Sequence, residues 1–198
     1  RCLKGGKQGK KNFIGFSKKA IGKGMFLIGD EIHIQKESLK EDPNVILEAF
    51  YISDYLGVPI SSRSLDMIRE NVQLFEKGLA DSKKASDVFL RIINGKDPGR
   101  ILSEMNKVGV LQAVIPEFGK LFCKAQYDLY HVYTVDTHSI YAVCEVKRVL
   151  DGKYEVEFPL LTQIGKEIRW KDVLILSCLL HDIGKGEGSN HSEKGAVI

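Results

Sequence analysis

No stretch of the 198 residues is apolar for long enough to span a bilayer, which takes about 20 residues. The nearest candidate, 173–180, is interrupted by Ser177 and runs into His181 and Asp182, so it reads as a buried helix. No basic, apolar and small-residue leader follows Arg1, and no secretory signal is expected. Cysteine is scarce. Cys2, Cys123, Cys144 and Cys178 form no C-x-x-C pair, which argues against a zinc knuckle. Three of them sit in apolar segments, where a thiol behaves as a small hydrophobe. Reduced, structural cysteines in a cytoplasmic protein are the expectation. Net charge is also modest, +3, too mild to imply a nucleic-acid partner.

Apolar residues make up 43% of the chain, enough to bury a real core. The positive charge is unevenly placed. Lys4, Lys7, Lys10, Lys11, Lys18, Lys19 and Lys23 are interleaved with glycines, and no acid occurs before Asp30. This 1–24 segment reads as a flexible, solvated head, with an anion or nucleotide contact as the sharper alternative.

Periodicity predicts a mainly helical chain with one short β-hairpin. Residues 25–34 look like two strands around Gly29-Asp30, with His33 facing away from Ile32 and Ile34. From Asp42 the period turns helical. Asp42-Pro43 and Asp97-Pro98 are cap-plus-proline starts, and Ser61 or Ser62 caps a helix carrying Leu65, Ile68, Val72, Phe75 and Leu79. A third helix is expected from Ser86 or Asp87, ending at Gly95. The stretch 126–131 has neither period. Thr134 or Asp136 caps a helix to about Leu150, which Asp151-Gly152 breaks, and 153–158 reads as a loop excursion. A last strong helix is expected over 170–183, followed by a glycine-rich loop. The division expected is 1–24 basic head, 25–115 hairpin plus helical region, and 116–198 the region holding the chemistry.

His181 and Asp182 leave the end of an apolar helix side by side. Burying an imidazole beside a carboxylate is costly unless a cation compensates, and a divalent metal does so. The plain alternative is a histidine favoured by the helix dipole. His138 is the best third ligand, on its own helix with a face able to pack on 170–183; the alternative is a core histidine. Lys185, in a glycine-flanked turn, could meet a phosphate oxygen as a point charge, or be a solvated lysine.

His181-Asp182-Ile183-Gly184-Lys185, with His138 upstream, resembles the HD superfamily of metal-dependent phosphohydrolases. The run Tyr127-Asp128-Leu129-Tyr130-His131-Val132-Tyr133-Thr134-Val135-Asp136-Thr137-His138 is similar to the signature of the bacterial PII uridylyltransferase/uridylyl-removing enzymes. Met105-Asn106-Lys107-Val108-Gly109-Val110-Leu111, Ile115-Pro116-Glu117-Phe118-Gly119 and His191-Ser192-Glu193-Lys194-Gly195-Ala196 extend the likeness. It runs from about residue 98 onward, and collinearly from about residue 12.

The resemblance implies a helical HD bundle, preceded by a linker region, whose metal ligands are His138, His181 and Asp182. The metal would be divalent: Mg, Mn, Fe or Zn. Lys185 and His191 would be catalytic, and His131 and Asp136 would stand behind the ligands, Asp136 reading more simply as a helix cap. The implied reaction removes UMP from uridylylated PII signalling protein, with no membrane partner. The family's nucleotidyltransferase domain is expected outside this sequence, since no Gly-Ser pair is followed by Asp-x-Asp; so are its ligand-sensing domains and the superfamily's distal aspartate. The rivals are an HD phosphohydrolase acting on free or cyclic nucleotides, and an inactive structural module of a larger enzyme.

Overall fold

The computed structural model describes residues 17–80, 82–122, 133–188 and 190–198, with the side chains of 74–80 left out. Three short strands come first: β1 (Lys18–Gly22), β2 (Met25–Ile28) and β3 (Glu31–Ile34). They form an antiparallel sheet in sequence order. The expected hairpin is β2–β3, with Phe26 opposite His33 and Gly29 in the left-handed region (φ 60°) at its turn. β1 was not expected, because Lys18–Gly22 lacks an apolar alternation and four of its five residues are exposed. It holds by pairing with β2 and by Lys18 Nζ lying 3.8 Å above the Phe26 ring. Of the flexible head expected over 1–24, Lys18–Gly22 is a strand instead; residues 1–16 lie outside the described residues.

Helices follow: α1 (Lys36–Glu41), α2 (Val45–Leu56), α3 (Ser62–Ala80), α4 (Lys83–Ile93), α5 (Pro98–Lys107), α6 (Val110–Val114) and α7 (Pro116–Gly119). The chain entering α3 lies beside β3: Ile32 donates to Pro59 O at 2.9 Å and Ser61 N donates back to Ile32 O. That bridge seats the sheet on the helices and buries Ile32 and Ile60. Asp42 proves not to be the cap of α2. Asn44 occupies that position, and Asp42 Oδ1 instead accepts from the Asn44 backbone at 3.0 Å. Ser82, not Ser86 or Asp87, caps α4 through Ala85 N. Asp97-Pro98 starts α5 as expected, with Asp97 accepting from Arg100 N. Gly109 (φ 83°) turns α5 into α6.

The second group is α8 (Val135–Leu150), α9 (Pro159–Glu167), α10 (Lys171–Leu180), a 3-10 turn over Ile183–Glu187, and α11 (His191–Gly195). α8 packs on both α5 and α10, and so links the groups. One apolar core runs through both, from Phe50, Ile92 and Leu102 to Val143, Ile175 and Leu179. α9 and α11 were not foreseen, and the last strong helix stops at Leu180 instead of Ile183. α10 is also less enclosed than its apolar sequence suggests: only Ile175 and Leu179 are fully buried, and Val173 is exposed. No described helix is long and apolar enough to cross a membrane.

Candidate metal centre

α8 starts at Thr134, whose extended backbone (φ −66°, ψ 155°) turns the chain into the helix. His138 N donates to Thr134 O at 2.8 Å, so His138 sits one turn inside. From the other side, α10 ends at Leu180. His181 is still helical (φ −55°, ψ −29°), but Asp182 leaves the helix (φ −106°, ψ 12°) and begins the 3-10 turn. This break lets adjacent residues share a target. Within a continuous helix their side chains would diverge by about 100°; here His181 Nε2 lies 3.2 Å from Asp182 Oδ2.

His138 Nε2 completes the approach, 3.9 Å from the same oxygen, with the two imidazole rings edge to face at 5.3 Å. One ligand atom from each of His138, His181 and Asp182 lies within 4.8 Å of the others. The Asp182 side chain is only 9% exposed, whereas the imidazoles of His138 and His181 are 42% and 41% exposed. The group is therefore anchored on its protein side and open toward solvent, as a site that must admit substrate has to be.

His181 Nδ1 lies 2.8 Å from Cys178 O. A carbonyl only accepts, so this contact favours the tautomer with its proton on Nδ1. The helix end gains a donor for one of its orphaned carbonyls, and this tautomer turns Nε2 toward the group as the available ligand atom. Periodicity gave no hint of this orienting contact, although the i−3 spacing across a helix end permits it.

The donor set fits a divalent metal. With bonds of about 2.1 Å, two donors on one ion stand roughly 3.0–4.2 Å apart. The separations of 3.2 and 3.9 Å fall in that range, and the 4.8 Å limit needs only a small rotation of an exposed ring. Two imidazoles and a carboxylate suit Zn, Mn or Fe; Mg prefers an all-oxygen shell.

Lys185 joins the group through Asp182, its Nζ 2.8 Å from Oδ2. The ammonium compensates a carboxylate that burial would otherwise penalise. His191 stands apart, exposed at the start of α11 and outside the ligand group. Its main chain nevertheless packs against Gly184, where a Cβ would collide with it. Asp136 is buried in the first turn of α8 and caps nothing. Its Oδ2 accepts from Asn106 Nδ2 at 2.8 Å, and Asn106 Oδ1 in turn accepts from Gln112 at 2.6 Å, so Asp136 ties α8 to α5 and α6. His131 and the aromatic stretch before it lie outside the described residues.

Residues 26–114 match the family model described as the uridylyltransferase GlnD third domain. The bifunctional uridylyltransferase/uridylyl-removing enzyme of Legionella pneumophila (strain Paris) is 36% identical over 163 residues, covering 80% of this chain. Its counterpart in Azospirillum brasilense is 32% identical over 177 residues, covering 88%. This chain belongs to that family. It spans 19% of the length of these relatives, so it corresponds to a segment of them. A third member, from Novosphingobium aromaticivorans, is 29% identical over 175 residues and is matched over the same 19% share. The family model stops before α8, so the group formed by His138, His181 and Asp182 lies outside the residues it matches.

Proposed function

We propose that this segment carries the uridylyl-removing centre of its family, a metal-dependent phosphodiester hydrolase of HD type whose substrate is uridylylated PII signalling protein. The observation that carries this reading is the convergence of His138, His181 and Asp182, from elements 43 residues apart, on one point open to solvent. The reading also divides the chain into a helical linker region (25–115) and the first part of the HD domain (116–198).

His138 and His181 would hold the ion through Nε2, and Asp182 through Oδ2. When bound, such an ion supplies a Lewis acid toward water and phosphoryl oxygen. The chain's own residues do the rest. Cys178 O keeps the His181 ring in its ligating tautomer. Lys185 rests on Asp182 and shares that oxygen with whatever cation binds there. From that position beside the centre, the Lys185 ammonium would offset charge on the substrate's phosphoryl oxygens. His191, exposed at the start of α11, would be the group to take or give a proton. A tyrosyl leaving group, with a pKa near ~10, needs little help from an acid.

The test is a substrate panel run on the purified chain: uridylylated PII, nucleoside monophosphates and cyclic dinucleotides, each with and without chelator. The reading predicts release of UMP from PII that chelation abolishes and divalent metal restores. Full activity in a His181→Ala, Asp182→Ala double variant would refute it.

A further inference from the structure

The stripe of α8 that carries His138 continues as Tyr141, Glu145 and Arg148, spaced by three, four and three residues and so lying on one face. A cavity of about 510 Å³ runs along that stripe, and His138 is part of its wall. Two tyrosines stand in its wall. Tyr133 and Tyr141 lie edge to face with ring centroids 4.7 Å apart, yet are 50% and 47% exposed. The charge in the cavity is largely cancelled, because Arg148 Nη1 bonds Glu145 at 2.6 Å and the Tyr154 hydroxyl bonds the same carboxylate. Among the described residues of the wall, what remains on offer beside His138 is ring surface, at a cost already met by folding.

We propose that Tyr133 and Tyr141 form a platform for the aromatic group esterified to the phosphate, and that they make the centre selective for aryl or nucleoside esters over aliphatic ones. The inference rests on the hydrolase reading above. A phosphate gripped at His138 has an ester arm pointing either along α8 or away from it. Tyr141 is three residues on, a rise of about 4.5 Å, which is close to the offset of a phenol ring from the phosphorus that carries it; a nucleobase would reach one ribose farther along the same face. Stacking on an exposed aromatic is tolerant of ring identity, so both a phenol and a nucleobase would be accepted.

The experiment measures dissociation constants of phenyl phosphate, uridine 5′-monophosphate and ribose 5-phosphate for the 198-residue chain, with and without Mn²⁺, by calorimetry. At least one aromatic ester is expected to bind about tenfold tighter than ribose 5-phosphate. The gain should vanish in Tyr141→Ala and persist in Tyr141→Phe, which keeps the ring. Preference for phenyl phosphate alone places the leaving phenol on the platform; preference for the nucleotide alone places the base there. Equal affinity for all three ligands, no binding of any, or an aromatic preference that survives Tyr141→Ala overturns the proposal. If ribose 5-phosphate binds only with metal and a ring adds nothing, the platform fails while the hydrolase reading stands. A ring preference that needs no metal leaves the platform standing and counts against the metal reading.

Discussion

Gly184 offers the sharpest perturbation of the site's frame. A Cβ on residue 184 would fall 2.6 Å from Gly195 N and closer still to the carbonyl oxygen of His191, against 3.4–4 Å for ordinary contact. Both are backbone atoms, so no side-chain rotation relieves the overlap. Gly184→Ala must therefore push α11 off the 3-10 turn. What opposes that movement is small. No residue of α11 is buried, and among the described residues the polar tie is the Lys194 Nζ bond to Glu187 O at 2.7 Å. One such bond and a little apolar contact are worth about 1–2 kcal/mol, less than a rigid backbone overlap of this size costs. The variant should shed α11 and keep the rest of the fold, with Tm lower by roughly 2–8 °C for a chain of this length. Hydrogen exchange reads this directly. The amides of Lys194 and Ala196, bonded to Asn190 O and Ser192 O, should lose protection while those of α8 and α10 keep it. Unchanged protection in α11, or loss of the whole fold, would refute the reasoning.

Two further outcomes follow from ionisation. Burial alone would raise the Asp42 carboxyl, but hydrogen bonds from Asn44 and Lys84 outweigh it and hold it below its ordinary 3.8. A depressed carboxyl stabilises the fold above the unfolded value and loses that contribution as pH falls through the lower, folded one. Asp42→Asn should therefore cost about 1 kcal/mol in urea unfolding at pH 7, and the gap to the unsubstituted chain should narrow as pH falls below the ordinary 3.8; a gap that does not narrow there would contradict the attribution. Burial pushes the thiols of Cys144 and Cys178 above their ordinary 9.0, with Asp97 adding to the effect at Cys144. Iodoacetamide at pH 8, followed by peptide mapping, should label both far more slowly in the native chain than in urea; equal rates would show them accessible.

What the sequence reveals depends on where the stabilising contacts lie. α8 and the β2–β3 hairpin were legible because their own residues carry the period and the turn. β1 and α11 were not: Lys18–Gly22 is a strand through pairing with β2 and a lysine on Phe26, and α11 is a short exposed turn seated on Gly184. α9 escaped because its apolar residues face outward, with Leu160, Leu161 and Ile164 exposed and Thr162 and Gly165 inside. At the site, the His181-Asp182 pair stood out as charge at the end of an apolar run. The packing of α8 on α10 that brings His138 there was expected from the apolar neighbours of His138 on its helix, and the structure bears it out. The helix break at Leu180, which lets His181 and Asp182 face one point, was beyond a periodicity argument. Asp136 was misread as a cap because its partner Asn106 lies 30 residues away, on another helix.

Metal titration of the chain by calorimetry, alongside His138→Ala, tests the central convergence most directly. The account predicts one divalent ion per chain, bound at least tenfold more weakly once the His138 imidazole is gone. An unsubstituted chain that takes up no ion, or a variant that binds it as tightly as its parent, would contradict the claim that His138, His181 and Asp182 act on a common cation.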